Sequence, residues 1–216
     1  MPDLSFQVES VEAQQFAAAP LLIFKLRITN ALPEEPIHTA ILRCQIRIEP
    51  AARSYPPESR ERLLDLFGTP DRWSQTLRSM LWTHTTVTMR AFAGTVLVDL
   101  PVPCTYDFNV AATKYFHALD DGEVPLVLLF SGTVFYQAEE GALQVAQIPW
   151  EKETSYRLPV GVWKKMMDLY YPSSAWLCLR KDVFDRLYRY KVGRGLPSWE
   201  QALEELLVAA KEPVKP

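Results

Sequence analysis

The stretch Val124–Tyr136, VPLVLLFSGTVFY, is the longest uninterrupted apolar run in the 216-residue chain. It is rich in Val, Leu and Phe, which is typical of a strand covered on both faces, and it is too short for a membrane span of ~20 residues. An extended run of this length covers about 43 Å, so we expect a bend, supplied by a bulge at Ser131-Gly132. The sequence therefore predicts a buried central strand.

The segments on either side of this strand indicate its partners. Asp120-Asp121-Gly122 is a turn signal, so residues 106–119 are expected to form an antiparallel hairpin with the central strand. Residues 106–119 alternate poorly, and their Ala content leaves a helix open as the alternative. On the other side, Gly141 allows a positive φ in a loop that returns the chain into a strand over 142–148.

Further segments show the period of two that is typical of half-buried strands. They cover residues 4–11, 21–29, 38–48, 83–89, 95–100 and 154–158. Pro101 and Pro103 cannot donate hydrogen bonds to a ladder, so the segment 95–100 is expected to end at a sheet edge or to run along one. The number and spacing of these segments favour an antiparallel β-sandwich.

Helical periodicity appears in two parts of the chain. Residues 57 to about 81 predict two short helices inserted after the third strand, the first with Pro57 in its opening turn and Gly68 at its end. The C-terminal third predicts helices over 159–170, 182–193 and 199–210, with one short strand at 175–179.

These elements predict an α+β, mainly β fold in a single domain over residues 1–212. Residues 1–158 form the antiparallel sandwich with its helical insertion, and residues 159–212 are mainly helical and pack on the sheet. Residues 213–216 are expected to fray.

Composition narrows the classes of function. A net charge of −3 and a pI near 5.7 argue against general nucleic-acid binding, which needs a basic footprint. The opening residues, MPDLSFQVES, lack the cationic and apolar regions of a signal peptide, and no run is long enough to cross a bilayer. We therefore expect a cytoplasmic protein without a membrane span.

Metal and cofactor sites have no sequence support. Cys44, Cys104 and Cys178 are odd in number and widely separated, and the three His residues stand apart, so reduced thiols and no metal are expected. GxGxxG, GxxxxGK[ST], GxSxG and HExxH motifs are absent, and no cofactor or catalytic residue is predicted.

One group of carboxylates lies near predicted strand ends. A pair of them would suit acid–base chemistry if the fold brought them together, although Asp is common in turns for backbone reasons. The group is Asp99, Asp107, Asp120, Asp121 and Glu123.

A basic stripe is the most distinctive predicted surface. If strands 21–29 and 38–48 are neighbours, one sheet face carries Lys25, Arg27, Arg43 and Arg47, with Arg53 just beyond. A solvated face neutralised by local carboxylates is the ordinary interpretation. The sharper one is a docking surface for an anion or an acidic protein, because guanidinium groups bind carboxylates and phosphates through two fixed hydrogen bonds.

Tryptophans indicate a second candidate site. Trp150, Trp163 and Trp176 lie near the predicted junction of the sheet and the C-terminal helices, where a pocket would bind a small ligand or a substrate. Core packing is the ordinary interpretation of aromatic residues at helical spacing.

Five phrases of the chain carry a resemblance: PIHTAILRCQIRIEPAARSY, LLDLFGTPDRW, DLPVPCTYDF, KYFHALDDGEVPLVLLFSGTVFY and PSSAWLCLR. Together they resemble an uncharacterised bacterial family of unknown function, whose members are often encoded beside uptake nickel–iron hydrogenases, including the high-affinity group. The resemblance spans most of the chain and implies an accessory or maturation role beside a metalloenzyme. It implies no catalytic residue.

The expected function is that of a non-enzymatic interaction or assembly protein, without a cofactor, whose partner is a hydrogenase subunit or a maturation factor. The alternative is a small-ligand-binding or enzymatic β-domain that uses the tryptophan pocket. The sequence leaves the oligomeric state open.

Overall fold

The computed structural model describes residues 2–105, 110–137, 141–174 and 177–211. The chain divides into two compact units, Met1–Ser174 and Ala175–Pro216. The strands are β1 Leu4–Ala13, β2 Leu21–Asn30, β3 Ile37–Ile48, β4 Met80–Met89, β5 Thr95–Pro103, β6 Glu123–Gln137, β7 Leu143–Gln147 and β8 Glu153–Pro159. The helices are α1 Pro57–Arg62, α2 Leu64–Phe67, α3 Trp73–Thr76, α4 Val110–Ala118, α5 Val160–Tyr170, α6 Lys181–Gly193 and α7 Trp199–Lys211.

Two antiparallel sheets form the first unit and confirm the predicted α+β, mainly β sandwich. One sheet has the order β1-β2-β5; the other has the order β4-β3-β6-β7, with β8 also paired to β6. Their inner faces carry the buried alternate residues of each strand, as in the stacking of Phe6 on Phe130 with ring centroids 4.1 Å apart. The apolar alternation in the sequence therefore corresponds to the core between the sheets.

Strand β6 is the central strand that the sequence predicts. One of its edges pairs with β3, while the other pairs first with β8 and then with β7. Between the pairs Leu129↔Glu153 and Thr133↔Gln147, the three β6 residues 130–132 lie opposite the five loop residues 148–152. The interruption in strand pairing therefore lies in the chain opposite β6, between β7 and β8, and not in β6 itself.

The predicted bulge at Ser131-Gly132 is wrong. The register with β3 runs without a shift through Thr133, Gly132 and Ser131. Gly132 has a φ of 145°, and a Cβ added there would lie 2.0 Å from the carbonyl oxygen of Ile41. The glycine is needed because the neighbouring backbone approaches too closely for any side chain.

Strands β2 and β3 belong to different sheets. The prediction of the basic stripe assumes that these two strands are neighbours, and this assumption is wrong. The connection after β2 is held by the buried Asn30, whose Nδ2 donates to the carbonyl oxygens of Leu32, at 2.7 Å, and Glu35, at 3.0 Å. These bonds stabilise a crossing from one sheet to the other rather than a hairpin. Strand β5 lies at a sheet edge and includes Pro101 and Pro103, as predicted.

The predicted strand over 106–119 and its hairpin with β6 are wrong for residues 110–119, and the helical alternative is confirmed there. Residues 106–109 lie outside the described residues, and α4 occupies Val110–Ala118. Ala112, Tyr115, Phe116 and Leu119 are buried, and their spacing of three and four residues is that of one helical face. Burial along this face explains why the helix forms.

Helices α4 and α5 cover the aromatic end of the core. The Phe116 ring stacks on Trp163 of α5 with centroids 5.0 Å apart, and it lies 5.1 Å from Trp82 of β4. Helices α1 to α3 confirm the helical insertion, but it ends earlier than expected because β4 begins at Met80. Trp82 lies in the core, and Trp73 packs against it.

The second unit contains α6 and α7. The amide of Gln201 donates to the hydroxyl of Ser198 at 3.2 Å, as expected for an N-cap. The predicted strand over 175–179 is wrong for Leu177–Leu179, which have no regular secondary structure, while residues 175–176 lie outside the described residues. In the described parts of both units, every helix is too short or too polar to cross a membrane. That residues 1–212 form a single domain stays a prediction.

Candidate interaction surface

The cations of the three-stranded sheet are neutralised by neighbouring carboxylates. Lys25 Nζ lies 2.8 Å from Asp99 of β5 and 3.1 Å from Glu12 of β1, and Arg27 forms an ion pair with Glu9. The hydrogen bonds that Lys25 donates to the carboxylates of Asp99 and Glu12 raise the pKa of Lys25. These two members of the predicted stripe therefore follow the ordinary interpretation of a solvated, charge-balanced face.

The arginines of the five-stranded sheet have a different environment. Arg43 is exposed and Arg47 is half-buried on the outer face of β3, about 13 Å apart at ~3.3 Å per residue. Within the described part of the chain, neither guanidinium has an ion-pair or hydrogen-bond partner. Glu49, just beyond β3, instead accepts a hydrogen bond from the hydroxyl of Ser79.

The strands beside β3 place uncharged residues around these arginines. Arg43 lies opposite Thr86 and Ser131, and Arg47 lies opposite Leu81 and Val127. We call this outer surface the β3 face; its residues are Ile41, Arg43, Gln45, Arg47, Leu81, His84, Thr86, Val127, Leu129 and Ser131. The β3 face thus combines two cations that are unpaired among the described residues with exposed apolar side chains. Its border carries one acidic residue, Glu153 of β8, which lies opposite Leu129.

Arg53 has a separate, structural role at the turn before β6. Its guanidinium donates to the carbonyl oxygens of Asp121 and Glu123, each at 3.0 Å, and lies 5.5 Å from the centre of the Tyr55 ring. These contacts hold the turn that leads into β6. The structure therefore separates Arg53 from the β3 face.

The tryptophans of the alternative site lie in different environments. Trp150 is 86% exposed in the loop between β7 and β8, whereas Trp163 is 2% exposed within the core. Trp163 stacks on Phe116 and contacts His117 edge-on at 5.0 Å. Trp176 lies outside the described residues. A pocket that contains these tryptophans stays a prediction.

The carboxylates near strand ends do not form a described pair suited to acid–base chemistry. Asp99 binds Lys25, while Asp120 accepts a bidentate contact from Arg62, which lowers the pKa of Asp120. A general acid needs a raised pKa, so Asp120 is poorly suited to that role. Asp107 lies outside the described residues.

Sequence reasoning missed a buried hydroxyl pair. Tyr55 Oη donates to the carbonyl oxygen of Pro50 at 2.7 Å, so the 2.7 Å bond between the two phenols is donated by Tyr115. Burial raises the pKa of both phenols. The helical spacing of α4 is the signal that would have placed Tyr115 in the core.

The described residues form a shallow hollow but no metal site. A shallow hollow of about 290 Å³ on the three-stranded sheet is lined by Ser5, Phe6, Gln7, Arg27 and Thr29. No three His, Cys, Asp or Glu residues in the described ranges lie close enough to hold a metal ion. The unpaired arginines of the β3 face are therefore the most distinctive chemical feature of the first unit.

Comparison with protein families gives a match over nearly the whole chain. The model of a family of unknown function, DUF6084, matches residues 1–215. The chain belongs to this family. The resemblance to an uncharacterised family is thereby confirmed. This member has a β-sandwich whose larger sheet carries two arginines without a partner among the described residues.

Other comparisons add no functional information for this DUF6084 member. A search of curated proteins found no match. The crystal structure of the "Putative ApaA Protein" from Bordetella pertussis is 12% identical, with 73% of this chain and 94% of that chain covered and a TM-score of 0.29. Beta-glucosidase 3B from Thermotoga neapolitana is 10% identical, with 72% of this chain and 17% of that chain covered and a TM-score of 0.24. At these TM-scores neither structure supports an inference about fold or function.

Proposed function

We propose that this protein is a non-enzymatic interaction or assembly protein that holds an acidic protein partner on the β3 face. The observation that supports the proposal is the pair Arg43 and Arg47, which lie opposite uncharged residues of β4 and β6 and have no partner in the described chain. On the other sheet, Lys25 and Arg27 are both paired with carboxylates.

The chemistry of the β3 face suits carboxylates that belong to another molecule. A guanidinium binds a carboxylate through two parallel hydrogen bonds, and hydrogen bonds to charged groups contribute about 1.5–3 kcal/mol each. Ile41 and Leu81, 40% and 45% exposed, add apolar contact beside the arginines. Arginines among apolar side chains are typical of the centre of a protein interface.

The proposed partner is a subunit or a maturation factor of a nickel–iron hydrogenase, and the proposed location is the cytoplasm. Support for this partner comes from the resemblance in the five phrases of the sequence, whose family is often encoded beside uptake hydrogenases. The β3 face supplies the docking surface, and the partner supplies the metal chemistry.

The test is a pull-down of the tagged full chain from its native cells, with the metal content of the purified protein measured in the same preparation. We expect a hydrogenase subunit or maturation factor at a stoichiometric level. The variant Arg43→Glu/Arg47→Glu should abolish its capture, because each glutamate would repel the acidic partner.

The matched control is Arg72→Glu/Arg90→Glu, which makes the same change in net charge at two exposed arginines outside the β3 face. Both double variants should unfold within about 1 kcal/mol of the wild type, since surface substitutions are usually close to neutral. Capture retained by Arg43→Glu/Arg47→Glu would refute the surface assignment. Recovery of a retained small molecule instead of a protein would refute the assembly role.

A further inference from the structure

Helices α6 and α7 leave much of their apolar surface exposed. In α6, Phe184, Tyr188 and Val192 are 44%, 52% and 58% exposed. In α7, Leu203, Leu206, Leu207 and Val208 are 36%, 38%, 62% and 61% exposed. Large apolar side chains grouped in this way on a soluble protein usually mark an interaction surface.

The helical positions show that these residues form one surface. Phe184, Tyr188 and Val192 are each four residues apart, so they follow one stripe of α6. The Trp199 ring of α7 joins the two helices, with its centroid 5.3 Å from Phe184 and 6.2 Å from Tyr188.

Leu203 lies one turn beyond Trp199 on α7, and Leu206 and Leu207 lie on the next turn. We call this surface the α6–α7 face; its residues are Phe184, Tyr188, Val192, Leu203, Leu206 and Leu207.

The two helices carry opposite charges beside this face. The sequence of α6 has four basic and two acidic residues, whereas α7 has one lysine and three glutamates, of which Glu205 is already paired with Arg194. Arg189 of α6 and Glu204 of α7 are both exposed. An incoming surface that complements both helices must itself present an acidic helix and a basic helix.

We propose that the α6–α7 face binds the same face of a second copy of this chain in a two-fold contact. A second copy presents the same apolar stripe and places its acidic α7 against the basic α6, and two-fold symmetry repeats this contact. Complementary charges thereby fix the pairing of unlike helices, as charged flanks do in helical interfaces. The inference concerns the second unit and does not depend on the proposed partner of the β3 face.

The first test measures the mass of the untagged full chain by sedimentation equilibrium over a range of concentrations. We expect a monomer–dimer equilibrium. Leu207→Glu should raise the dissociation constant by more than about 100-fold, because two-fold symmetry places the new charge in the apolar contact twice.

Val208→Glu is the control: Val208 is 61% exposed and lies outside the apolar stripe, four residues after Glu204 on the acidic flank of α7. Because this flank faces the basic α6 of the second copy, Val208→Glu should leave the dimer intact or tighten it. Circular dichroism should show equal helix content in both variants. A wild type that is monomeric at every concentration, or a dimer that Leu207→Glu leaves intact, would overturn the proposal.

A second test separates self-association from binding to another partner. Arg189→Glu and Glu204→Arg should each weaken the homodimer by about 10-fold, because like charges then face each other twice. An equimolar mixture of the two variants should form a heterodimer of wild-type affinity, since opposite charges face each other at both contacts. Failure of the mixture to associate more tightly than either variant alone would overturn the pairing of α6 with α7.

Discussion

Replacement of Gly132 by alanine is expected to destabilise the first unit severely. The added Cβ would lie 2.0 Å from the carbonyl oxygen of Ile41 and 3.3 Å from the Cα of Leu42, both backbone atoms of the paired strand β3. The clash cannot be relieved by the rotation of a side chain, so the two central strands of the larger sheet must separate locally.

The magnitude follows from the conformation and from the lost strand pairing. A non-glycine residue at the Gly132 φ of 145° costs about 1–3 kcal/mol by itself. Displacement of β6 from β3 also disturbs buried contacts of Leu42 and Phe130, so the total loss should exceed about 3 kcal/mol. At 2–4 °C per kcal/mol for a chain of this size, the melting temperature should fall by about 6–12 °C.

Urea unfolding of the wild type and Gly132→Ala, followed by circular dichroism and tryptophan fluorescence, measures this loss. Gly161→Ala is the matched control, because Gly161 lies in α5 with no atom within 4 Å of an added Cβ and without a positive φ. The control should gain up to about 1 kcal/mol from helix propensity. A loss below about 1 kcal/mol in Gly132→Ala would refute the close approach of β6 and β3.

Two further predictions concern buried polar groups. Tyr55→Phe should lower the free energy of unfolding by about 1–3 kcal/mol, because it leaves a main-chain carbonyl and the Tyr115 hydroxyl unpaired, whereas Tyr115→Phe removes only a donor and should cost about 1 kcal/mol. Urea unfolding of both variants checks this order. Equal losses of stability would contradict the assignment of Tyr115 as the donor. Burial raises the pKa of Cys44 and of Cys104 to about 12. At pH 8 a thiol reagent should therefore modify only the exposed Cys178 in the native protein, and all three cysteines in urea. Rapid labelling of more than one thiol in the native protein would contradict the burial of Cys44 and Cys104.

The faces of the strands could be predicted from the sequence because alternation directly reflects burial. The residues of β3 that alternate as apolar, such as Leu42 and Cys44, are buried, and Arg43 and Arg47 point outward as expected. Alternation does not say which strands are neighbours. The crossing between β2 and β3 depends on hydrogen bonds of Asn30 that no local pattern encodes.

The error over 106–119 has a different physical cause. Ala112, Tyr115, Phe116 and Leu119 have helical spacing, so the signal was present, but the apolar run of β6 and the turn at 120–122 favoured a hairpin. The candidate site was predictable only in part. The outward arginines follow from alternation, whereas the lack of a carboxylate partner for them among the described residues depends on the strand order.

The late position of β6 in the chain affects how the protein is made. Strand β3 ends at Ile48, whereas β6, which pairs with one edge of β3, begins only at Glu123. That edge of β3 therefore stays unpaired in the growing chain while the intervening residues are synthesised. Pairings this distant in sequence form slowly and leave strand edges open to aggregation. Truncations before residue 137 should therefore accumulate in inclusion bodies, and a ribosome-associated chaperone should bind the nascent chain until β6 emerges.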